Sequence, residues 1–328
     1  MIITRTPFRF TIGGGGTDLP SYYSKRGGFV ASMAINKYLY ITLKPDDIEN
    51  RLKMRYTEIE NVSDVSLIKH DRARYALRHH GIKTGFEINT CADISSNSGL
   101  GSSGSFLVGF LNAIREFKKQ DRSPAVLAEE ACHIEIDQMG EPVGKQDQYI
   151  AAFGGMTIFE IGRSGVVSVR PVNISESNLN TFLSNIQVYS LNTFRNASEI
   201  LSEQNKMSKN TETILDTVKE YGYLSVEHLE TANFDEYGLL MDKYWNLKKQ
   251  LSSKISVNKF DYIYDEVKKN HNVLGGKIIG AGGGGFLMLY VNKNHAALQE
   301  FMEKSGFWRL HFGVDKIGST VLGNYIQG

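Results

Sequence analysis

The sequence predicts an α+β fold in two domains, and three observations carry the prediction. At 328 residues the chain is longer than one hydrophobic core usually supports and suits two packed units. Strand-like apolar stretches occur towards both ends, separated by a long middle region with helical spacing. Glycine, with 32 copies, gathers at 13–16, 99–104 and 280–285, which points to three separate backbone devices inside folded domains. The boundary is expected between 165 and 185, giving domains 1–175 and 176–328.

In the first half, Tyr38-Leu-Tyr-Ile-Thr-Leu43 closes an apolar run from Val30 with aromatic and β-branched residues, and reads as a strand. Phe86–Cys91 alternates with period two and reads as another. After Gly101 the period changes. Phe106, Leu107, Phe110, Leu111 and Ile114 recur at helical spacing, with Lys118-Lys119 near the end. Ser123-Pro124 opens a second helix, serine as cap and proline at the first position, with Leu127, Ala131 and Ile134 on its apolar face. Strands are expected at Met156–Ile161 and Ile186–Leu191. Helical patterns dominate 197–270, including Tyr237–Leu251, before strands return at Gly276–Ile279, Phe286–Val291 and Gly313–Val321.

Composition narrows the function. Apolar residues make up 41% and charged residues 22%, the balance of a globular protein with a buried core. Lys plus Arg total 37 against 36 Asp plus Glu, so no global field favours nucleic acid or an anionic membrane. A phosphate pocket remains open, because it needs only a few local donors. Cys91 and Cys132 are too few to staple a chain of this size and read as free thiols in a reducing compartment. The N-terminus carries charge where a signal peptide needs apolar residues. No apolar run approaches the roughly 20 residues that span a bilayer. A cytoplasmic protein with neither membrane nor nucleic acid as partner is expected.

The segment Gly99-Leu-Gly-Ser-Ser-Gly-Ser105 lies between a strand and a helix. A glycine-rich turn there aims successive N–H groups at a phosphate, and the helix N-terminus adds a favourable dipole. Ser102, Ser103 and Ser105 add hydroxyls for phosphate or Mg²⁺. A tight turn with serine caps is the plain structural alternative. The segment also satisfies G-x-G-x-x-G, but a second helix follows the first, so the βαβ context of a dinucleotide fold is missing. The loop lacks the lysine of a P-loop, and no H-R-D and D-F-G pair marks a protein kinase.

Three motifs in order give the chain a family resemblance. They are Thr6-Pro-Phe-Arg-Phe-Thr-Ile-Gly-Gly-Gly-Gly-Thr-Asp18, Ser98-Gly-Leu-Gly-Ser-Ser-Gly-Ser105 and Ile278-Ile-Gly-Ala-Gly-Gly-Gly-Gly-Phe286. The chain resembles the GHMP kinases, the family of galactokinase, homoserine kinase, mevalonate kinase and phosphomevalonate kinase. The resemblance implies an N-terminal ATP-binding domain like domain 2 of ribosomal protein S5 and a ferredoxin-like C-terminal domain. It assigns ATP phosphates to Gly99, Leu100, Gly101, Ser102, Ser103, Gly104 and Ser105. One departure is Ser95-Ser-Asn-Ser98, where the family often writes Pro-x-Gly.

Gly144-Lys-Gln-Asp-Gln-Tyr149 matches the family segment carrying the catalytic aspartate, which implies that role for Asp147. A carboxylate beside an acceptor hydroxyl can orient it and take its proton as the O–P bond forms. Lys145 would stabilise phosphate charge or lower the basicity of Asp147. Glu135 with Ser103 would hold Mg²⁺, Glu129 and Glu130 competing for the carboxylate role. Arg9 would neutralise charge at the transferring phosphoryl group, while Asp18 accepts hydrogen bonds from sugar hydroxyls. Thr17, Gly15, Gly16 and Gly283 complete the implied substrate contacts. Galactokinases carry Glu-His where this chain has Gly15-Gly16, which turns the reading away from galactose.

The run Arg5-Thr-Pro-Phe-Arg-Phe to Thr-Asp-Leu-Pro-Ser-Tyr-Tyr23, followed by Gly27-Gly28 and Ala34-Ile-Asn-Lys37, is similar to the bacterial D-glycero-D-manno-heptose 7-phosphate kinases. That branch phosphorylates the anomeric hydroxyl on the route to GDP-heptose. A small-molecule sugar phosphate is then the expected partner, with ATP and Mg²⁺, and the chain a monomer or homodimer. A substrate already carrying phosphate needs extra cationic donors, for which Arg195 and Lys25-Arg26 are candidates. A fucose or galactose kinase and a non-catalytic sugar and ATP sensor are the alternatives.

Overall fold

The computed structural model describes residues 1–96, 98–193, 208–252, 255, 258–280 and 282–326. The first half holds β1 (Ile2–Gly13), α1 (Pro20–Arg26), β2 (Gly28–Pro45), β3 (Leu52–Arg55), β4 (Ile59–Val62), α2 (Asp71–His79) and β5 (Phe86–Ala92). It continues with α3 (Ser102–Phe117), α4 (Pro124–Cys132), α5 (Gln146–Phe153), β6 (Met156–Ile161) and β7 (Val167–Pro171). Then come α6 (Glu176–Ser184), β8 (Ile186–Ser190), α7 (Lys209–Glu230), α8 (Phe234–Lys248) and α9 (Asn258–Asn270). The last elements are β9 (Val273–Ile278), β10 (Phe286–Val291), α10 (His295–Lys304), β11 (Arg309–Leu310) and β12 (Thr320–Asn324). The helical expectation over 197–207 and the candidate Arg195 lie outside the described residues.

The first sheet has eight strands, ordered β12-β1-β2-β5-β3-β4, with β6 joining β2 and carrying β7. The early part of β2 pairs with β6 through Gly28–Met33, and its later part with β5 through Leu39–Pro45. β1 is buried along nearly its whole length because helices cover both faces. On one face Gly109 of α3 lies against Thr6, where an added Cβ would sit 2.5 Å from Oγ1, and Thr4 donates to the Gly109 carbonyl at 3.0 Å. On the other, Gly222 of α7 meets Gly13 and Gly14, the closest atoms 3.0 Å from a would-be Cβ. This two-sided cover explains why every residue from Thr6 to Gly13 is buried, where a strand with one wet face would alternate.

The second sheet, β11-β8-β10-β9, is antiparallel throughout. β10 is its apolar centre, every residue of Phe286–Val291 being buried. Pairing of β12 with β1 changes the expected partition: the chain crosses back, and its last segment belongs to the first sheet. Asn36, at an irregularity in the β1–β2 register, receives that segment by donating to the Gly313 carbonyl at 3.0 Å. The expected strand over Gly313–Val321 reduces to an Ile35–Val314 bridge and β12 itself. The helix opened by Pro124 ends at Cys132 and widens into a π-helical turn over His133–Gln138.

Candidate active site

Arg9 enters the site from the middle of β1. Its backbone N–H donates to Leu100 at 3.0 Å, which ties the strand to the glycine loop. Its guanidinium grips Asp147 with both arms, Nε to Oδ1 at 2.7 Å and Nη2 to Oδ2 at 2.9 Å. Nη1 donates to the Gly99 carbonyl at 2.6 Å. Arg9 is 6% exposed, so this fork is held in a screened, preorganised geometry. Asp147 stands in the first turn of α5.

The glycines of the loop are there because side chains would not fit. Gly101 caps α3 with φ near 80°, and an added Cβ would lie 3.1 Å from Arg9 Cγ and 3.3 Å from Asp147 Cγ. At Gly104 it would lie 2.8 Å from Asp147 Cβ. The N-terminus of α3 has no side-chain cap, which leaves its first-turn N–H groups for a ligand. Ser98 Oγ is buried at the loop entrance and has no hydrogen-bond partner, an orphan that a phosphate oxygen would satisfy. The carbonyls of Ser98 and Gly99 lie directly against Gly285 and Gly280, so the C-terminal glycine segment braces the loop from behind.

Asp18 occupies the turn after β1, where Gly16 N donates to Oδ1 at 3.1 Å and Gln146 N to Oδ2 at 3.0 Å. Burial pushes its carboxyl above the usual value, the charge of Asp147 adds to this, and the backbone donors oppose it. Arg9, Asp18, Asp147 and the loop thus gather on one floor built by β1, α3 and α5.

Several expected roles meet a different geometry. Lys145 turns away from Asp147. Its ammonium donates to the Gly165 carbonyl at 2.7 Å and to Glu129 at 3.1 and 3.2 Å, lining a separate cleft of about 530 Å³ beside α4. Glu135 is fully buried and both its oxygens are engaged, by Arg72 Nε at 2.6 Å and Gln148 Nε2 at 2.5 Å. A cation beside that carboxylate competes with a metal ion, so as held here Glu135 does not fit the Mg²⁺ role. Ser103 does fit, since its hydroxyl stands in the uncapped first turn of α3. The competitor Glu130 is likewise taken, by Arg115 at 2.5 Å and by His79 and His80 at 3.2 Å.

Ser105 donates inward to the Pro7 carbonyl at 2.7 Å, and Leu100 is fully buried, so these two serve the loop through packing and backbone. Thr17 is fully buried, with its hydroxyl between the Gly14 and Phe29 carbonyls at 2.8 and 2.7 Å; it shapes the turn rather than facing a ligand. Gly15 and Gly16 form that turn. Gly283 N donates to the Ile255 carbonyl at 2.7 Å and fastens its loop.

The sequence reading missed two lysines. Lys248, at the end of α8, donates to the Gly280 carbonyl at 2.6 Å. Lys277, in β9, donates to the Ile12 carbonyl at 3.3 Å and lies 4.6 Å above the Tyr244 ring. The signal available was a lone lysine inside an apolar strand leading into a glycine segment.

The chain is similar to known proteins along most of its length. Residues 66–155 match the model of the N-terminal domain of GHMP kinases. D-glycero-alpha-D-manno-heptose 7-phosphate kinase of Campylobacter jejuni is 28% identical, over 93% of this chain and 94% of its own. Mevalonate kinase of Methanocaldococcus jannaschii is 27% identical, over 77% of this chain and 78% of its own. The crystal structure of a D-glycero-D-manno-heptose 1-phosphate kinase from Bacteroides thetaiotaomicron superposes with a TM-score of 0.82 at 20% identity, covering 99% of this chain and 100% of that one.

Proposed function

We propose a specific reaction for this chain, which belongs to the GHMP kinases and is a sugar kinase: transfer of the γ-phosphoryl group of ATP to the anomeric hydroxyl of D-glycero-D-manno-heptose 7-phosphate. The products would be the 1,7-bisphosphate and ADP, for GDP-heptose and surface polysaccharide synthesis. The observation that carries the phosphoryl-transfer chemistry is the fork of Arg9 on Asp147, set at the uncapped N-terminus of α3. The choice of sugar rests on the relative from Campylobacter.

In this reading the α3 N-terminus and Ser98 receive the nucleotide phosphates. Asp18 accepts hydrogen bonds from sugar hydroxyls, and Asp147 orients the anomeric hydroxyl for in-line attack. As the new O–P bond forms and the bond to ADP breaks, the hydroxyl proton passes to Asp147. The Arg9 clamp fixes the Asp147 carboxylate in place, which suits a loose transition state in which positioning matters more than deprotonation. Arg9 itself offsets charge on the transferring group. Mg²⁺, held by Ser103 and the nucleotide's own oxygens, would neutralise phosphate charge.

The test is turnover of ATP with Mg²⁺ against heptose 7-phosphate, free heptose, galactose, fucose and mannose, with Asp147→Ala as control. Turnover with heptose 7-phosphate that vanishes in the variant is expected. Turnover only with a free hexose would remove the heptose assignment, and tight ligand binding without turnover would favour the sensor.

A further inference from the structure

A phosphorylated acceptor has to place its own phosphate against cations, and of the sequence candidates Lys25 and Arg26 do not serve. Lys25 is bound to Glu212 at 2.8 Å, and Arg26 reaches Asp216 at 3.3 Å, both on the exposed surface. Arg195 lies outside the described residues.

Lys248 and Lys277 are different. They are 7% and 2% exposed, and among the described residues neither has a carboxylate within ion-pair distance. Each ammonium has three N–H donors and uses one on a backbone carbonyl, leaving two. Fastening a carbonyl needs only a neutral donor, so a buried ammonium is a costly choice unless an anion comes to meet it.

Both lysines flank the floor already described. Lys248 reaches Gly280, which lies against the Gly99 carbonyl that Arg9 also holds. Lys277 reaches Ile12, immediately before the 13–18 turn, and its ring partner Tyr244 donates to the Gly15 carbonyl at 3.4 Å. Lys277 therefore comes from β9 towards the turn that holds Asp18, and Lys248 from the end of α8 towards Gly280, behind Gly99.

From this placement we infer that Lys248 and Lys277 form the anion site for the phosphate the acceptor sugar already carries, and so select a sugar phosphate over a free sugar. The inference rests on the proposed reaction and deepens it. Burial, then the charge of Arg9, lowers the Lys248 ammonium to about 8, with Asp18 opposing; burial, Lys248 and Arg9 lower Lys277 as well. A phosphate dianion between them would reverse that depression, so binding should take up protons.

The experiment compares the full-length protein with Lys248→Met, Lys277→Met and Lys277→Arg. The readout is the ratio of kcat/KM for heptose 7-phosphate to kcat/KM for free heptose. Each methionine variant should lower this preference at least about tenfold, while Lys277→Arg keeps most of it. An equal loss on both acceptors, with the ratio intact, would overturn the inference, because the lysines would then act on the transferred group or on the fold. If the wild type turns over only free sugars, the proposed reaction fails, and a binding measurement decides the anion site separately. Inorganic phosphate, added with a non-hydrolysable ATP analogue filling the nucleotide loop, should raise the wild-type melting temperature but not that of Lys277→Met. Equal protection of both would sink the site.

Discussion

Replacing Lys248 by methionine should make the protein more stable at neutral pH, the opposite of what removing a buried hydrogen bond usually does. The ammonium's pKa falls from 10.5 to about 8, first through burial and then through Arg9, Lys277 lying close by and Asp18 opposing. At about 1.4 kcal/mol per tenfold, keeping the side chain charged in the folded state costs about 3 kcal/mol. Methionine removes that cost and keeps the packing of the stem, but leaves the Gly280 carbonyl without its donor, a loss of about 1–2 kcal/mol. The net expectation is a gain of about 1–2 kcal/mol at pH 7. The pH dependence has a definite sign. Between pH 8 and 10.5 the unfolded chain holds more protons on this lysine than the folded one, so wild-type stability rises relative to the variant across that window. The penalty is complete below about pH 8, and by pH 10 the gap should have closed or reversed. Denaturant unfolding followed by the fluorescence of buried Trp245, at pH 7 and pH 10, measures both points. A variant less stable than wild type at pH 7, or a difference that does not change with pH, would refute the reasoning.

Other substitutions test the rest of the floor. Asp147→Asn should lower kcat by about 10²–10⁴ with little change in KM for ATP, checked by steady-state kinetics. Gly104→Ala places a Cβ 2.8 Å from Asp147 Cβ; it should cost about 1–3 kcal/mol of stability and at least about tenfold in kcat, since the α3–α5 contact sets the Arg9–Asp147 geometry. Glu135→Gln leaves Arg72 without its buried partner and should lower the melting temperature by several degrees, while the Mg²⁺ concentration giving half-maximal rate stays the same. A raised Mg²⁺ requirement at unchanged stability would instead return Glu135 to the metal.

Most of the floor was legible because its residues fall in contiguous motifs whose backbone demands are local. A glycine that must cap a helix at φ near 80°, as Gly101 does, leaves a mark in the sequence. The strands Phe86–Ala92, Met156–Ile161 and Phe286–Val291 were equally readable from period-two or fully apolar runs. The departures share one cause, which is that proximity along the chain does not fix the direction of a side chain. Lys145 lies two residues before Asp147, at the start of α5, and the helical turn sends its ammonium to Glu129 and Gly165. Glu135 falls on the π-helical turn that follows α4, where the widened register turns it inward to Arg72 and Gln148. Lys248 and Lys277 lie over a hundred residues from the motif aspartate, and only the packing of α8 and β9 behind β1 brings them to the floor. The return of β12 to the first sheet was hidden for the same reason: a short strand with no alternation acquires its identity from the edge of β1 that it completes. Where local backbone chemistry decides a role, sequence suffices. Where a long flexible cation decides it, the partner that satisfies the charge has to be seen, and for these two lysines the described residues place no carboxylate within ion-pair distance.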